Sequence, residues 1–504
     1  MNVFVNILKI LIILVAIAVA VVVIMCAALV LFPGFSIFGL HYISGDNKPI
    51  GKEYNLVDNS AEWATVSTVW VKTNTWNIDI HPVTSGESEI FVNNCINARW
   101  TRLYNGFVFG EVKEPTFEGA KIVTVDGETR LLFEVAEPDG GWLSKNNTKL
   151  TILYDNNIFA NKNLLIETNT GVIELGNDIN FATQKLTINS EKGAITVNKI
   201  TAQNDVKIAK STGNVTVNSD INQNVMIDIK SGYGKINMQN VGAVNKAVAL
   251  GFDELLNNVN VQFGDVTGDL EIKANGGLVR GGNVSGSLNV DVKSCDIYLE
   301  NINGVSNYLG VDGIFKASKL NGAFDANITG NGRVELGETN GISTIKTNNG
   351  EIKIESAKAD VEAISQGGNI NITGANNKIN LNIKNKNGNT VLDKIKGTVN
   401  FAITDKGRGA VTVNYANEVG AIVGENVITT ETGTIAINLN SADKFFYKKW
   451  STNNKVNIEL SGCRSTDKEN TTGSPVNGAE STDTNNLTTT SVAGAINVLH
   501  YTTN

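Results

Sequence analysis

A short phrase that recurs between Leu164 and Val217 is the strongest constraint on how this chain folds. Each copy has alternating aliphatic residues, a polar turn ending in Gly, and alternating aliphatic residues again: Leu165–Ile173, Leu186–Ile195 and Val206–Val215. A period of two is typical of a strand with one buried face. Two short strands joined at a Gly corner and repeated at about 20 residues predict an all-β fold, a parallel β-solenoid of β-helix-like coils.

Similar corners continue through most of the chain, which extends the predicted solenoid over residues 164–460. The expected corners are Gly171, Gly193, Gly213, Gly234, Gly277, Gly313, Gly332, Gly350, Gly368, Gly388, Gly409 and Gly433. Asn is frequent at the turns, where it tolerates left-handed backbone and can stack into hydrogen-bonded ladders.

The prolines fit the same architecture. They are Pro33, Pro49, Pro82, Pro115, Pro138 and Pro475, so residues 139–474 contain none. A strand that is bonded on both edges needs every backbone N–H, which excludes Pro from it. The long interval without Pro is therefore what a continuous ladder requires.

The amino-terminal region predicts a membrane anchor. Residues 10–32 carry no charged side chain, and about 23 apolar residues suffice for a helix to cross a bilayer. A cleaved signal peptide is the alternative, but its apolar core is normally about 7–15 residues. The prediction is a single-pass protein of the cell membrane, with a short cytoplasmic tail at 1–9, a juxtamembrane linker at 33–53 and the bulk outside the cytoplasm.

Residues 54–163 predict a β-rich cap that would cover the first coil of the solenoid. Five of the six tryptophans lie here: Trp63, Trp70, Trp76, Trp100 and Trp142. An aromatic platform for carbohydrate is the alternative to a cap.

The carboxyl-terminal region changes composition. The aromatic cluster Phe445–Trp450 predicts a terminal cap, with a membrane or glycan contact as the alternative. Residues 461–504 form a Ser/Thr/Asn-rich tail, in which 461–491 has no apolar period and predicts disorder. A last strand is predicted at 494–499.

Charge and residue supply exclude several functions. The net charge is −8, so a basic face for nucleic acid is not expected. The three histidines and four widely spaced cysteines argue against zinc or triad chemistry. The prediction is a non-enzymatic protein without catalytic, cofactor-binding or metal-binding residues. A carbohydrate-active β-helix stays open as an alternative, for which the scattered carboxylates would be the candidates: Asp265, Asp269, Asp291, Asp296, Asp312 and Asp325.

The repeats resemble the bacterial putative-adhesin family of β-strand-repeat proteins, related to toastrack domains. The resemblance rests on Thr168–Leu175, with echoes at Ser211–Val217 and Thr347–Ile354, and on the upstream strands Asn77–Ile80 and Leu150–Tyr154. It covers residues 70–460. It implies a membrane-tethered surface β-solenoid that acts in adhesion or envelope-stress sensing, and it supplies no catalytic residues.

The predicted function is therefore a surface adhesin or interaction scaffold that binds protein or glycan. An envelope-stress sensor with a membrane partner is the first alternative. Specificity is expected where the phrase breaks: at Gly242–Asn260, at the Cys295 corner and at Phe445–Trp450.

Overall fold

The chain is mostly β-strand, with one long apolar helix at its amino terminus. It divides into two compact units, unit 1 (Met1–Ser219) and unit 2 (Asp220–Asn504). The computed structural model describes residues 2–32, 35–43, 50–55, 58–82, 95–101, 104–109, 119–135, 145–146, 149–154, 161–176, 182–183, 185–198, 201–202, 206–210, 214–218, 225–229, 233–238, 247–252, 258–374, 377–403 and 407–501.

The described part of unit 1 contains helices α1 (Asn2–Leu31) and α2 (Ser60–Thr65). Its strands are β1 (Ser36–Ile37), β2 (Leu40–Ile43), β3 (Ile50–Asn55), β4 (Thr68–Lys72), β5 (Asn77–Pro82), β6 (Cys95–Thr101), β7 (Tyr104–Phe109), β8 (Ala120–Val125), β9 (Glu128–Glu134), β10 (Lys145–Asn146), β11 (Lys149–Tyr154), β12 (Asn163–Thr168), β13 (Ile173–Leu175), β14 (Ala182–Thr183), β15 (Leu186–Ser190), β16 (Ile195–Val197), β17 (Thr201–Ala202), β18 (Val206–Lys210) and β19 (Val215–Val217).

Unit 2 is built from strands in its described residues. They are β20 (Val225–Ile229), β21 (Tyr233–Met238), β22 (Ala247–Phe252), β23 (Asn258–Gln262), β24 (Asp269–Arg280), β25 (Leu288–Ile302), β26 (Ser306–Asp312), β27 (Ile314–Leu320), β28 (Phe324–Ile328), β29 (Arg333–Thr339), β30 (Ser343–Thr347), β31 (Ile352–Ala357), β32 (Val361–Ser365), β33 (Ile370–Gly374), β34 (Lys378–Asn385), β35 (Thr390–Ala402), β36 (Val411–Tyr415), β37 (Glu425–Thr430), β38 (Ile435–Leu439), β39 (Phe445–Ser451), β40 (Val456–Leu460), β41 (Cys463–Ser465), β42 (Glu469–Asn470), β43 (Ser474–Val476), β44 (Asn486–Ser491) and β45 (Ile496–His500).

Helix α1 contains the apolar run and extends beyond it. Its stretch Leu8–Leu31 has 24 residues and a mean hydropathy of 3.5, which suits either a membrane span or a signal sequence. The helix begins at Asn2, so most of the segment 1–9 predicted as a tail is helical.

The predicted linker 33–53 is folded where the structure describes it. Strands β1 and β2 form an antiparallel hairpin, and β2 continues the pairing onto β7. Strand β3 pairs with β6. These contacts make the linker part of unit 1 rather than a spacer.

Parallel pairing in unit 1 begins earlier than the predicted boundary at 163/164. We use the term layer for two consecutive strands that together stack on the next two strands. The layer β4–β5 (68–82) pairs in parallel with β12–β13 (163–175), which pairs with β15–β16 (186–197). On its other side β4–β5 pairs with β9 and β11. The first layers are thus formed by residues that the sequence assigned to the cap, because bulky Trp-rich strands follow the same inward and outward alternation.

Unit 2 repeats the same parallel pairing. From β25 to β34 most strands pair with the strand two positions later, as in β26 with β28 and β27 with β29. The number of residues from one layer to the next varies along unit 2. It is 18 where Asn283 is hydrogen-bonded to Asp265, and 24 where Asn438 is hydrogen-bonded to Asn414. The inward positions are aliphatic and buried, as the alternation predicts.

The last layers of unit 2 are stacked out of chain order. Strands β44 and β45 (486–500) pair with β37 and β38 (425–439) on one side. On the other side they pair with β39 and β40 (445–460). We call 486–500 the inserted layer. A strand therefore lies where one was expected at 494–499, and it lies inside the stack.

Strands at 463–476 replace the predicted disorder in the tail. Strand β41 pairs antiparallel with β40, and β42 and β43 pair antiparallel with β39. Pro475 lies in β43 opposite Phe446, on a short strand that covers the terminal layer, where a missing N–H is tolerated. The prediction of disorder was wrong because the buried residues of the inserted layer include the hydrogen-bonded Asn486, Thr489 and Ser491, which interrupt the apolar period.

The Gly corners are required by close stacking. A Cβ on Gly350 would lie 1.6 Å from the carbonyl oxygen of Gly332, and one on Gly368 would lie 1.9 Å from that of Gly350. The same contact recurs at Gly193, Gly388, Gly433 and Gly494. Each corner therefore lies against the carbonyl of the corner before it, and a side chain does not fit.

A buried hydroxyl or amide three residues before the corner completes the motif. The Gly171 N–H donates to Thr168 Oγ1 at 3.1 Å, and Thr347 Oγ1 donates to the Gly350 carbonyl at 2.9 Å. Ser365, Asn385 and Ser491 accept the N–H of their corner Gly in the same way. The Thr/Ser-x-x-Gly pattern is thus a turn whose polar groups are satisfied without water.

Candidate interaction surfaces

The Cys295 corner is a packing site in the structure. Cys295 is 1% exposed, and its thiol donates to the Asp296 carbonyl oxygen at 3.7 Å. Burial, with a smaller contribution from Asp296, raises the pKa of the Cys295 thiol to about 12. Such a thiol stays protonated near neutral pH, so the site does not have the chemistry of a reactive cysteine.

Three of the four aromatic rings in the Phe445–Trp450 cluster face inward, and the fourth, Phe446, is half-buried. Phe445, Tyr447 and Trp450 are 0%, 0% and 2% exposed, and the Tyr447 and Trp450 rings lie 4.8 Å apart. Tyr447 hydrogen-bonds Thr489 of the inserted layer, and Trp450 Nε1 donates to the Asp467 carbonyl at 3.1 Å. These rings fill the terminal layer, so they do not present an aromatic face to a membrane or glycan.

The irregular stretch Gly242–Asn260 contains strand β22, which pairs in parallel with β20 and β24. Of its side chains the structure describes Asn260 alone, so the specificity expected in this stretch lies outside the described residues.

The tryptophans whose side chains are described do not form an open platform. Trp76 is 3% exposed. Arg130 Cζ and Lys72 Nζ lie 5.3 and 5.5 Å from the centre of the Trp70 ring, and Glu167 accepts the Trp70 indole N–H at 2.9 Å. Lys162 Nζ similarly lies 4.8 Å from the Trp63 ring. Trp100 and Trp142 fall outside the described side chains.

Several of the candidate carboxylates bind the backbone of the next layer. Asp269, Asp296 and Asp312 accept the N–H groups of Ser287, Ile314 and Asn331 at 2.6, 2.9 and 2.7 Å. Asp265 accepts both the backbone and the side-chain N–H of Asn283. Asp291 and Asp325 lie on outward positions of the strands, where Asp325 lines a shallow groove with Leu309 and Asn327. The structure thus spreads these acids over many layers instead of bringing them together.

Asn side chains form ladders along the outside of unit 2. Asn321 donates to Asn303 and Asn340 donates to Asn321, each at 2.6 Å. Two positions after each of these three Asn residues lies a turn residue. These turn residues stack from layer to layer, and they are Val305, Ala323 and Ile342. Val305 and Ile342 are 51% and 60% exposed. We call this surface the 303–342 ridge; it combines a polar ladder with an exposed apolar edge.

One buried acid in unit 1 is paired with a lysine and a histidine. Asp79 on β5 is 8% exposed; its Oδ2 lies 2.6 Å from Lys149 Nζ and its Oδ1 lies 3.0 Å from His81 Nδ1. Burial alone would raise the pKa of Asp79, but the hydrogen bonds from His81 and Lys149 outweigh burial and lower it below 3.8. Among the described residues, groups of three or more His, Cys, Asp or Glu arranged to hold a metal ion were not found.

We expect Asp79 to make the folded state sensitive to acid. Its pKa is lower in the folded chain than in the unfolded chain, so its stabilising contribution is present above pH 3.8 and is lost as the pH falls through the lowered value. Asp79→Asn should cost about 1–3 kcal/mol at neutral pH and flatten the acid side of the stability curve. Denaturant unfolding between pH 2 and pH 7 measures both effects. Glu174→Gln, at the exposed position paired with Asp79, is the control; an equal effect there would contradict the assignment.

The comparisons with known proteins do not identify a family. No protein-family model matches the chain, and no curated protein sequence matches it. Among solved structures, a crystal structure of a "putative cell adhesion protein" from Clostridium sporogenes aligns with 90% of this chain and 100% of its own, at 9% identity and a TM-score of 0.15. That TM-score is too low to establish a shared fold.

Proposed function

We propose that the protein is a membrane-anchored surface scaffold whose units are parallel β-solenoids that bind protein or glycan without catalysing a reaction. Parallel strand pairing, layers of about 20 residues and stacked Gly corners support the solenoid architecture. Helix α1 would be the anchor, and the β-rich bulk would lie outside the cytoplasm.

The observation that carries the proposal is the regular outer surface of unit 2. Asn and Asp side chains follow one another from layer to layer, and many are hydrogen-bonded to the neighbouring layer. Such ladders hold the outward side chains in a fixed array, which favours contact over area rather than chemistry in a pocket. The 303–342 ridge adds exposed apolar groups, which are typical of contact surfaces.

Surface display can be tested with a protease site placed in an exposed turn. Val419 is 68% exposed, and a Cβ on Gly420 would meet no atom within 4 Å, so an insertion after Val419 should leave the layers intact. We expect a protease added to intact cells to cut the full-length protein at this site. Lysed cells provide the control for cleavability. Cleavage that occurs only after lysis would overturn the surface assignment.

Binding without catalysis has a separate test. Full-length protein in lipid nanodiscs should bind components of a glycan or cell-surface protein array, and Val305→Asn with Ile342→Asn should weaken that binding. Val391→Asn, a similarly outward residue away from the ridge, is the matched control. The release of new reducing ends from a polysaccharide would contradict the non-enzymatic assignment.

A further inference from the structure

The first hairpin of unit 1 places a strained aromatic residue at an exposed tip. Phe38 and Gly39 connect β1 to β2 with φ angles of +52° and +77°. Two-residue hairpin loops with both φ angles positive strongly favour Asn-Gly, and a bulky residue in this region is sterically strained. Phe38 is nevertheless 86% exposed. In water, this residue would be unfavourable for both its backbone and its side chain.

The tip belongs to a larger exposed apolar surface. Phe32, Phe35 and Phe109 are 64%, 68% and 69% exposed. Phe109 lies opposite Leu40 in the pairing of β2 with β7, and its ring edge lies 4.0 Å from where a Cβ on Gly39 would be. We call Phe32, Phe35, Phe38 and Phe109 the aromatic patch.

The aromatic patch is continuous with the apolar helix. Leu29 of α1 is fully buried, and Met25, Cys26 and Ala28 beside it are half-buried, whereas Leu8–Ile24 are exposed. An apolar groove of about 360 Å³ lies at this end of α1, lined by Ala28, Leu29, Phe32, Phe35 and Ile37. The helix and the hairpin therefore offer one joined apolar surface.

We propose that the aromatic patch inserts into the lipid bilayer beside the end of α1, so that the β1–β2 hairpin lies on the membrane surface. A bilayer is the occupant that fits, because the patch begins at the last turn of a 24-residue apolar segment and its four side chains are all apolar aromatic. Aromatic residues concentrate at the two boundaries of the hydrocarbon core. The exposed area that is unfavourable in water becomes favourable in lipid.

The proposal rests on α1 being a retained membrane anchor and adds a second contact to it. A hairpin seated at the lipid boundary would take the place of the juxtamembrane linker predicted at 33–53. Since β2 also pairs with β7, the contact would hold the small sheet β1–β2–β7–β10 at the bilayer.

Photocrosslinking in nanodiscs tests the occupant directly. Full-length protein carrying p-benzoylphenylalanine at position 38 should form a covalent lipid adduct on illumination, detected by intact mass. The same group at Ile122, which is 37% exposed on β8, is the control and should form several-fold less adduct. An adduct with a second copy or with another protein, or equal lipid adducts at both positions, would overturn the proposal.

The same experiment separates this proposal from the anchor itself. Co-elution of the protein with the nanodiscs and helix protection from protease report anchoring. Co-elution without a lipid adduct at position 38 would leave the anchor in place and reject the inserted hairpin. Failure to co-elute would reject both.

Phe38→Asn distinguishes lipid contact from a packing role. Asn adopts positive φ readily, so the full-length variant in detergent micelles should unfold at the same temperature as the unchanged protein or higher. In nanodiscs, a lipid adduct from the benzophenone group placed at Phe109 should fall at least threefold when Phe38 is Asn. A lower unfolding temperature with an unchanged adduct would show that Phe38 supports the hairpin instead.

Discussion

Deleting residues 486–504 should open the carboxyl-terminal end of unit 2. The inserted layer lies between the layers 425–439 and 445–460, and the described residues of those two layers do not pair with each other. The segment contributes Leu487, Ile496 and Val498, which are each fully buried. Burial of one such side chain is worth about 1.5–3 kcal/mol, so the loss should be on the order of 5 kcal/mol. The layer 445–460 would then lose its parallel partner on β39 and β40.

Trp450 provides the readout. It lies in the terminal layer, is 2% exposed, and is the one tryptophan after Trp142. We expect a red shift in its fluorescence on deletion, obtained by subtracting the spectrum of the matching Trp450→Phe protein. Removal of 502–504 alone should leave emission and unfolding temperature unchanged, and a red shift of equal size there would contradict the prediction.

A point variant covers the case in which the deletion prevents folding. Ile496→Ala should cost about 2–5 kcal/mol, as for other buried large-to-small changes. Val492→Ala, at a residue 57% exposed in the same layer, should stay within about 0.5 kcal/mol. Similar costs at the two positions would mean that the inserted layer does not carry this part of the core.

The repeats could be predicted because the information that specifies them is local. Within one copy, Thr168 and Gly171 form the turn, while Ile166 and Ile173 point inward. None of this depends on which other copy lies above or below. The parallel pairing and the Asn ladders follow from the same alternation once copies are stacked.

The order of the layers could not be predicted in the same way. Val498 can fill an inward position next to Ile437 or next to Ile458. In the structure it lies between the two, opposite Ile437 of β38 on one side and opposite Ile458 of β40 on the other. Chain proximity favours stacking β40 next to β38, which is the order that the sequence alone predicts. The choice depends on long-range pairing that short repeats of similar composition do not encode.

The aromatic clusters were ambiguous from sequence for a related reason. Phe445 and Trp450 are buried, whereas Phe38 and Phe109 are exposed. In the sequence, Phe38 and Phe109 stand in short aromatic stretches, as Phe445 and Trp450 do. Phe445 lies opposite Val476 of β43 and Trp450 lies opposite Asn470 of β42, whereas Phe109 stays exposed although it lies opposite Leu40 of β2. Burial therefore depends on which side chains surround the ring in the folded chain, and the local sequence does not specify them.

Gly368→Ala should be among the most damaging single changes in the chain, and its neighbour offers a matched control. A Cβ on Gly368 would lie 1.9 Å from the backbone carbonyl oxygen of Gly350, so two layers must move apart. A Cβ on Gly367 would meet the side-chain Oδ1 of Asn349 at 2.7 Å, and that flexible amide can turn away.

We therefore expect Gly368→Ala to cost about 3 kcal/mol or more, in line with overpacking of a rigid interior. Gly367→Ala should change stability by less than about 1 kcal/mol, because the lower entropy of the unfolded chain offsets the displaced amide. Denaturant unfolding of both variants under identical conditions gives the comparison. Equal costs would contradict the steric role of the Gly368 corner, whereas a large difference means that the carbonyl of one corner sets the spacing of the next.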